Sequence, residues 1–242
     1  MSYLWHQVSA AVSLIARGDP YLMNLLWVTA RVGVVATTAA LTIGLPIGAA
    51  LGVGRFRGRR ALQLLANAGL ALPPVVVGVV LLIFILPQGP LGSLQIEFTI
   101  KAMYVAQTIL ALPYVVALTA AAIRGLDPGL IAQARALGAG RVQVAALALR
   151  EARIGVIAAV IAALASTISE VGAVIIVGGN FQGRTESLAS ALLAEFTFQP
   201  DDPHETAIAL LLLALVVVLV GSLTVLQQRG GHVRLRLRFR GA

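Results

Sequence analysis

Stretches free of Asp, Glu, Lys and Arg recur along the chain at residues 32–54, 61–96, 102–123, 154–169 and 206–228. A helix needs roughly 20 apolar residues to cross a bilayer, so each run predicts a span. Pro87-Gln88-Gly89-Pro90 breaks the second run after Leu86, and apolar sequence resumes beyond Glu170 through Val177. Five transmembrane helices are expected near 25–53, 62–86, 103–123, 154–177 and 206–226. Ahead of them, Leu4, Trp5, Val8, Val12 and Ile15 recur near helical spacing. That pattern predicts a short amphipathic helix in an outer interfacial segment, residues 1–23, closed by Gly18-Asp19-Pro20. The segment lacks the basic start and small-residue cleavage site of a cleaved leader.

Composition turns these runs into a class. The chain is 59% hydrophobic and 12% charged over 242 residues, with a mean hydropathy of +0.92. Soluble folds are excluded, and an all-α integral membrane fold forming a single domain, 1–242, is expected. The net charge of +8 is carried almost wholly by arginine, since Lys101 is the lone lysine. Arg55, Arg57, Arg59 and Arg60 follow the first span, Arg124, Arg135, Arg141, Arg150 and Arg153 follow the third, and five more follow the fifth. All of these fall on one side of a five-pass topology, which identifies that side as cytoplasmic. The N terminus is then outside, the C terminus inside, and residues 227–242 form a basic cytoplasmic tail that touches anionic lipid. The excess charge records orientation and does not point to nucleic acid. There is no cysteine, and His6, His204 and His232 show no ligand spacing, so no metal site is expected.

The cytoplasmic loop 124–153 carries "IAQARALGAGRVQVAALALREAR". Asp127 before Pro128 reads as an N-cap followed by proline at the first helical position, and Gly138 as the stop. A helix over 128–137 with small residues Ala132 and Ala136 can dock in another protein's groove. A plain connector with orienting arginines explains the same residues equally well.

This loop resembles that of ATP-binding-cassette importer permeases, whose pattern is Glu-Ala-Ala, three residues, Gly, nine residues, then Ile-x-Leu-Pro. Ala134 matches the second alanine and Gly138 the glycine. Ala132 stands for the Glu, Gln133 for the first alanine, and Arg150-Glu151 for Leu-Pro. The resemblance implies a five-helix type I importer permease architecture and a coupling helix seated on an ATPase subunit. It gives ATPase-coupling roles to Asp127, Pro128, Ala132, Gln133, Ala134, Arg135, Leu137, Gly138 and Arg141. It also implies the partners: a second copy of the chain, two ATPase subunits and an extracytoplasmic binding protein. The chain has no G-x-x-x-x-G-K-[ST] phosphate loop, so ATP and Mg are expected on the ATPase partner and no cofactor here. The resemblance thus implies a transport subunit that is not itself an enzyme.

"STISEVGAVIIVGGNFQGRTESLASALLAEF" forms a second cluster. Glu170 inside a span needs a partner or a function, and Arg31 is expected at a similar depth, about 10 Å from the outer ends at 1.5 Å per residue. A structural ion pair between them and a gating role are both open. Gly172, Gly178, Gly179 and Gly183 around Asn180 read either as helix-end glycines or as backbone amides facing an anion pathway, with Thr185 following. A short helix over 186–196 would close the outer end. Pro73-Pro74 and Pro113 predict kinks, serving packing or a gating hinge.

The phrase "SEVGAVIIVGGNFQGRTESLASAL" resembles tungstate importer permeases and, more loosely, those for molybdate and sulfate. That implies an oxyanion cargo, tungstate first, with Arg31, Pro73, Pro74, Glu170, Gly172, Gly178, Gly179, Asn180, Gly183 and Thr185 as pore or gate candidates. The rivals from other classes are an ion-coupled secondary transporter and an intramembrane enzyme using Glu170.

Overall fold

The computed structural model describes residues 2–198 and 202–238, and every regular element among them is helical. In chain order these are α1 (Ser2–Ala16), α2 (Pro20–Val53), α3 (Arg59–Gly69), α4 (Pro74–Ile85), α5 (Ile100–Arg124), α6 (Pro128–Ala136), α7 (Arg141–Glu151), α8 (Arg153–Ser169), α9 (Gly172–Gly178), α10 (Leu188–Phe198) and α11 (Pro203–Arg238), with one 3-10 turn at Gly92–Leu94.

Three helices are long and apolar enough to cross a membrane alone: α2, α5 and residues Pro203–Val225 of α11. Two bent pairs, α3 with α4 and α7 with α8, bring the number to five if each pair is one span. The second expected span is thus not one helix, because α3 and α4 meet at 106°. The cause is local. Pro74 restricts Pro73 to an extended conformation, φ −65° and ψ 120°, and the helix must stop and restart there. Pro113, by contrast, sits inside an uninterrupted α5. The fourth expected span, 154–177, is broken as well, because α8 ends at Ser169 and Glu170 and Val171 lie between helices; the 76° bend between α7 and α8 falls just ahead of it.

The first span starts earlier than its apolar run suggests. Asp19 Oδ1 accepts from the amides of Tyr21 at 3.0 Å and Leu22 at 3.1 Å, capping α2 with Pro20 as its first residue. The last helix continues to Arg238, through most of the expected tail. The side chains from Arg229 onward, and residues 239–242, lie outside the described residues.

The chain divides into two compact units. The first holds residues 1–36, 73–108 and 166–218. Its core joins Leu22 and Leu25 of α2, Leu188 and Ala191 of α10, Ala207 and Ile208 of α11, and Ala11 of α1. Here α4 packs on α9 so closely that a Cβ on Gly78 would come within 2.9 Å of the Ala173 Cα.

The second unit holds residues 37–72, 109–165 and 219–242. Its seam is a glycine stripe. Gly44, Gly48 and Gly52, four residues apart on one face of α2, meet Val115, Thr119 and Ile123, four apart on α5. A Cβ at any of the three would lie 2.5 to 2.9 Å from its neighbour. In lipid the hydrophobic effect does not drive helices together, so close van der Waals approach of small residues is what holds such a pair. Gly69 repeats the device against the ring of Pro113.

Candidate functional site

Segment 127–142 is built almost wholly by local hydrogen bonds. Asp127 Oδ1 accepts from the Gly129 amide at 2.8 Å, and Pro128 opens α6. The helix ends as its sequence dictates: Gly138 adopts φ +84°, where a side chain would be strained, and the Ala139 amide reaches back to the Ala134 carbonyl at 3.0 Å. Gln143 Oε1 then takes the Gly140 amide at 2.8 Å, at the start of α7. No residue of α6 is buried. Ala132, Gln133, Arg135 and Ala136 are exposed and Ala134 half-buried.

Two anchors hold this uncovered helix. Ile131 packs against the cluster of Ala49, Ile123, Ala148 and Ala152. Arg135 Nη2 donates to the Val53 carbonyl, the last of α2, at 2.9 Å. Beyond them two apolar side chains stand free, Leu137 at 88% and Val142 at 82% exposure. Arg141 is exposed beside them. The residues singled out from the loop motif therefore do come together, on one open surface.

Segment 170–190 is the opposite case. Glu170 Oε1 accepts from the Ala173 amide at 3.2 Å, so its carboxylate serves the start of α9. A Cβ on Gly172 would meet Val75 of α4 at 2.5 Å, and one on Gly178 would meet buried Met103 at 3.0 Å. The loop after α9 turns through left-handed residues Gly179 (φ +76°), Asn180 (φ +50°) and Gly183 (φ +75°). The Phe181 carbonyl accepts from the amides of Arg184, Thr185 and Glu186, while Thr185 Oγ1 takes the Phe181 amide at 2.9 Å. With Gly179 bonded to Ile175, five of the loop's amides are spoken for. Those of Asn180, Gln182 and Gly183 make no hydrogen bond among the described residues.

The α10 start is then pinned twice. Ser187 and Ser190 exchange side-chain and amide hydrogen bonds, and the Leu188 amide donates to Thr29 Oγ1 of α2 at 2.8 Å. This helix begins at Leu188 and not at Glu186.

The ion pair between Arg31 and Glu170 is not made. The Arg31 guanidinium lies 5.9 Å from the ring centroid of Tyr104, a cation–π arrangement. Depth counting fails here for two reasons: α2 starts at Pro20, which puts Arg31 about 16 Å along it, and Glu170 sits at a helix break. Pro73 and Pro74 form the bend described above, next to the Val75 that faces Gly172.

Two polar groups escape a sequence reading. Gln107 is wholly buried in α5, and both its amide atoms lack a hydrogen-bond partner. Its signal was available, as the one Asn or Gln of the run 102–123. Glu186 is buried with Oε2 unpartnered, and burial, reinforced by Glu195, raises its carboxyl above the ordinary value. At the start of α11, His204 Nδ1 lies 2.8 Å from Asp202 Oδ1, and Asp202 is held below the usual carboxylate range by the backbone amide of His204.

Comparisons with known proteins agree with this layout. The family described as "Binding-protein-dependent transport system inner membrane component" matches residues 44–230. A probable anion ABC transporter permease of Haloferax volcanii is 38% identical over 212 residues, 84% of this chain and 91% of the relative. The tungstate uptake permease TupB of Peptoclostridium acidaminophilum is 32% identical over 213 residues, 88% of this chain and 93% of its own length. Among solved structures, the inward-facing MetNI methionine ABC transporter superposes with a TM-score of 0.65 at 22% identity, covering 87% of this chain and 96% of that one, a likeness of fold alone. Taken with five potential crossings and an exposed helix at the motif loop, the match places the chain in the family of binding-protein-dependent transport system inner membrane components.

Proposed function

We propose that this chain is the permease subunit of an ATP-driven importer that moves a tetrahedral oxyanion, tungstate first and molybdate or sulfate as alternatives, into the cytoplasm. The observation that carries the reading is α6, a capped helix with no buried residue in the segment that bears the coupling motif. A helix fixed at both ends by local hydrogen bonds, held to its own protein only through Ile131 and Arg135 and with no residue buried, is built for another chain. The cargo rests on similarity to permeases named for anions and for tungstate over most of the chain.

In this reading the permease does no bond chemistry. Two ATPase subunits hold ATP and Mg, and their closure pulls on α6 through Leu137, Val142 and the exposed alanines. A binding protein delivers cargo from outside, and a second copy completes the pathway. The exposed face of α4, with Val75, Val76, Val79, Val80 and Ile83, supports such a neighbour. The N terminus is outside and the C terminus inside, as the arginine distribution supports. An intramembrane enzyme using Glu170 is disfavoured by that carboxylate's engagement with the Ala173 amide.

The test is reconstitution with an ATPase subunit and an oxyanion-binding protein of the same importer type from the same cell. Tungstate should accumulate inside proteoliposomes only with ATP on the α6 side. Uptake without ATP, or with ATP from the other side alone, would overturn the reading.

A further inference from the structure

The second unit contains a cavity of about 1210 Å³ for which the transport reading names no occupant, although Arg135, Arg141 and Val142 of the coupling segment line it. Its size exceeds the roughly 300–1,000 Å³ of ordinary small-molecule pockets. The walls come from residues 41–56, the end of α2 and the turn after it, and from residues 135–149 of α6 and α7. Much of the lining is apolar, with Leu45, Val53, Val144 and Leu149. Three arginines, Arg55, Arg135 and Arg141, join that lining, and no carboxylate does among the described residues.

The arginines are not consumed by the protein. Among the described residues Arg55 and Arg141 make no hydrogen bond or ion pair, and Arg135 commits one nitrogen to the Val53 carbonyl. All three are exposed. Arg141 is also the first residue of α7, so the positive end of that helix dipole belongs to the cavity wall.

Depth completes the argument. The α2 part of the wall, Leu45 to Val53, belongs to a candidate membrane span and Arg55 follows directly on its end, which places hydrocarbon beside Leu45 and the headgroup layer beside Arg55. A molecule with a greasy body and a single anionic head, delivered from the bilayer itself, matches this division. Basic pockets between spans on the cytoplasmic side are where anionic lipid heads bind. We infer that the cavity holds one anionic phospholipid, its phosphate on Arg55, Arg135 and Arg141 and an acyl chain along α2, bridging the end of that span to the coupling segment. The inference rests on the cytoplasmic placement of the arginine-rich ends but not on the cargo.

The test is native mass spectrometry of the purified full-length chain in detergent micelles doped with phosphatidylglycerol or phosphatidylcholine. One phosphatidylglycerol per chain should be retained in preference to phosphatidylcholine. The double variant Arg55→Gln with Arg141→Gln should weaken retention about 30-fold, the loss expected for two arginines beside an anionic surface. Ala50→Trp, which fills the cavity from an exposed wall position and leaves every arginine in place, should abolish it. Arg57→Gln, in the same basic cluster but not lining the cavity, should leave it unchanged. Equal retention of the two lipids, or of phosphatidylglycerol by either cavity variant, overturns the proposal. So does an Ala50→Trp chain that loses its oligomeric state and keeps its lipid, because the cavity would then be covered by a second copy. Lipid retention is read without transport, so a failed cargo assignment leaves this test intact.

Discussion

Residues 127–142 and residues 170–190 are both glycine-punctuated passages between helices, and each uses side chains to satisfy helix ends. They differ in where the rest of their surface goes. In the second passage, residues 185–190 are buried and Thr29, Met103 and Val75 close around the segment. In the first, local bonds fix the shape while α6 keeps no residue buried. Self-satisfaction on one side and deliberate incompleteness on the other teach that stability and function should separate by segment. Substitutions at 170–190 should act through folding, whereas those at 127–142 should act through assembly.

The sharpest way to break that contrast is to overpack the closed segment. Gly178→Leu drives a side chain into Met103 and Thr185, both buried, and should cost about 3 kcal/mol, read as a fall of several degrees in the detergent melting temperature. If the variant melts like the parent, the close packing claimed there is wrong. Thr29→Val comes next, since it strips the Leu188 amide of its acceptor in a buried site. A loss of about 2 kcal/mol is expected, with α10 exchanging its amide hydrogens faster than the parent.

Gly138→Val makes the complementary test in the open segment. Its φ of +84° strains a side chain by roughly 1–2 kcal/mol, yet nothing lies within 4 Å of the new Cβ. The melting temperature should fall by less than in Gly178→Leu, while ATPase activity stimulated by loaded binding protein drops more than tenfold. Should the stability loss match that of Gly178→Leu, the contrast between the segments disappears.

Glu186 adds a pH dependence confined to the closed segment. Its folded carboxyl titrates above the ordinary value of 4.5 because of burial. The stability it permits is complete below that pH and is lost as pH rises through the folded pKa. Denaturation midpoints measured upward from pH 4.5 should therefore decline in the parent and flatten in Glu186→Gln. The smallest effect belongs to Leu137→Ser: at 88% exposure it should move stability by no more than about 0.5 kcal/mol, and yet weaken retention of the ATPase during purification.

Much of this was legible before any coordinates. Charge-free runs located the long apolar helices α2, α5 and α11, because a bilayer penalises ionised groups along the whole length of a helix, but ran across the breaks in the second and fourth. Asp127-Pro128 and Gly138 announced the ends of α6, since caps are local chemistry that needs no tertiary partner. The double proline at 73–74 foretold a bend, though not one of 106°. What failed was depth. Placing Arg31 beside Glu170 assumed straight, unbroken helices starting where apolar sequence starts, and both assumptions fell, to the Asp19 cap and to the break after Ser169. The spacing of Gly44, Gly48 and Gly52 was visible too, but only the partner face of α5 gives it meaning.

That stripe also fixes a register. Its three contacts are steric, with no hydrogen bond across them to forgive a shift. Sliding α2 by one residue would present Leu45, Ala49 and Val53 where hydrogen atoms now stand, so the seam works as a ratchet tooth of one permitted position. Tolerance to larger residues along this half of the helix should consequently rise and fall every four positions, a rhythm that saturation mutagenesis can read out directly.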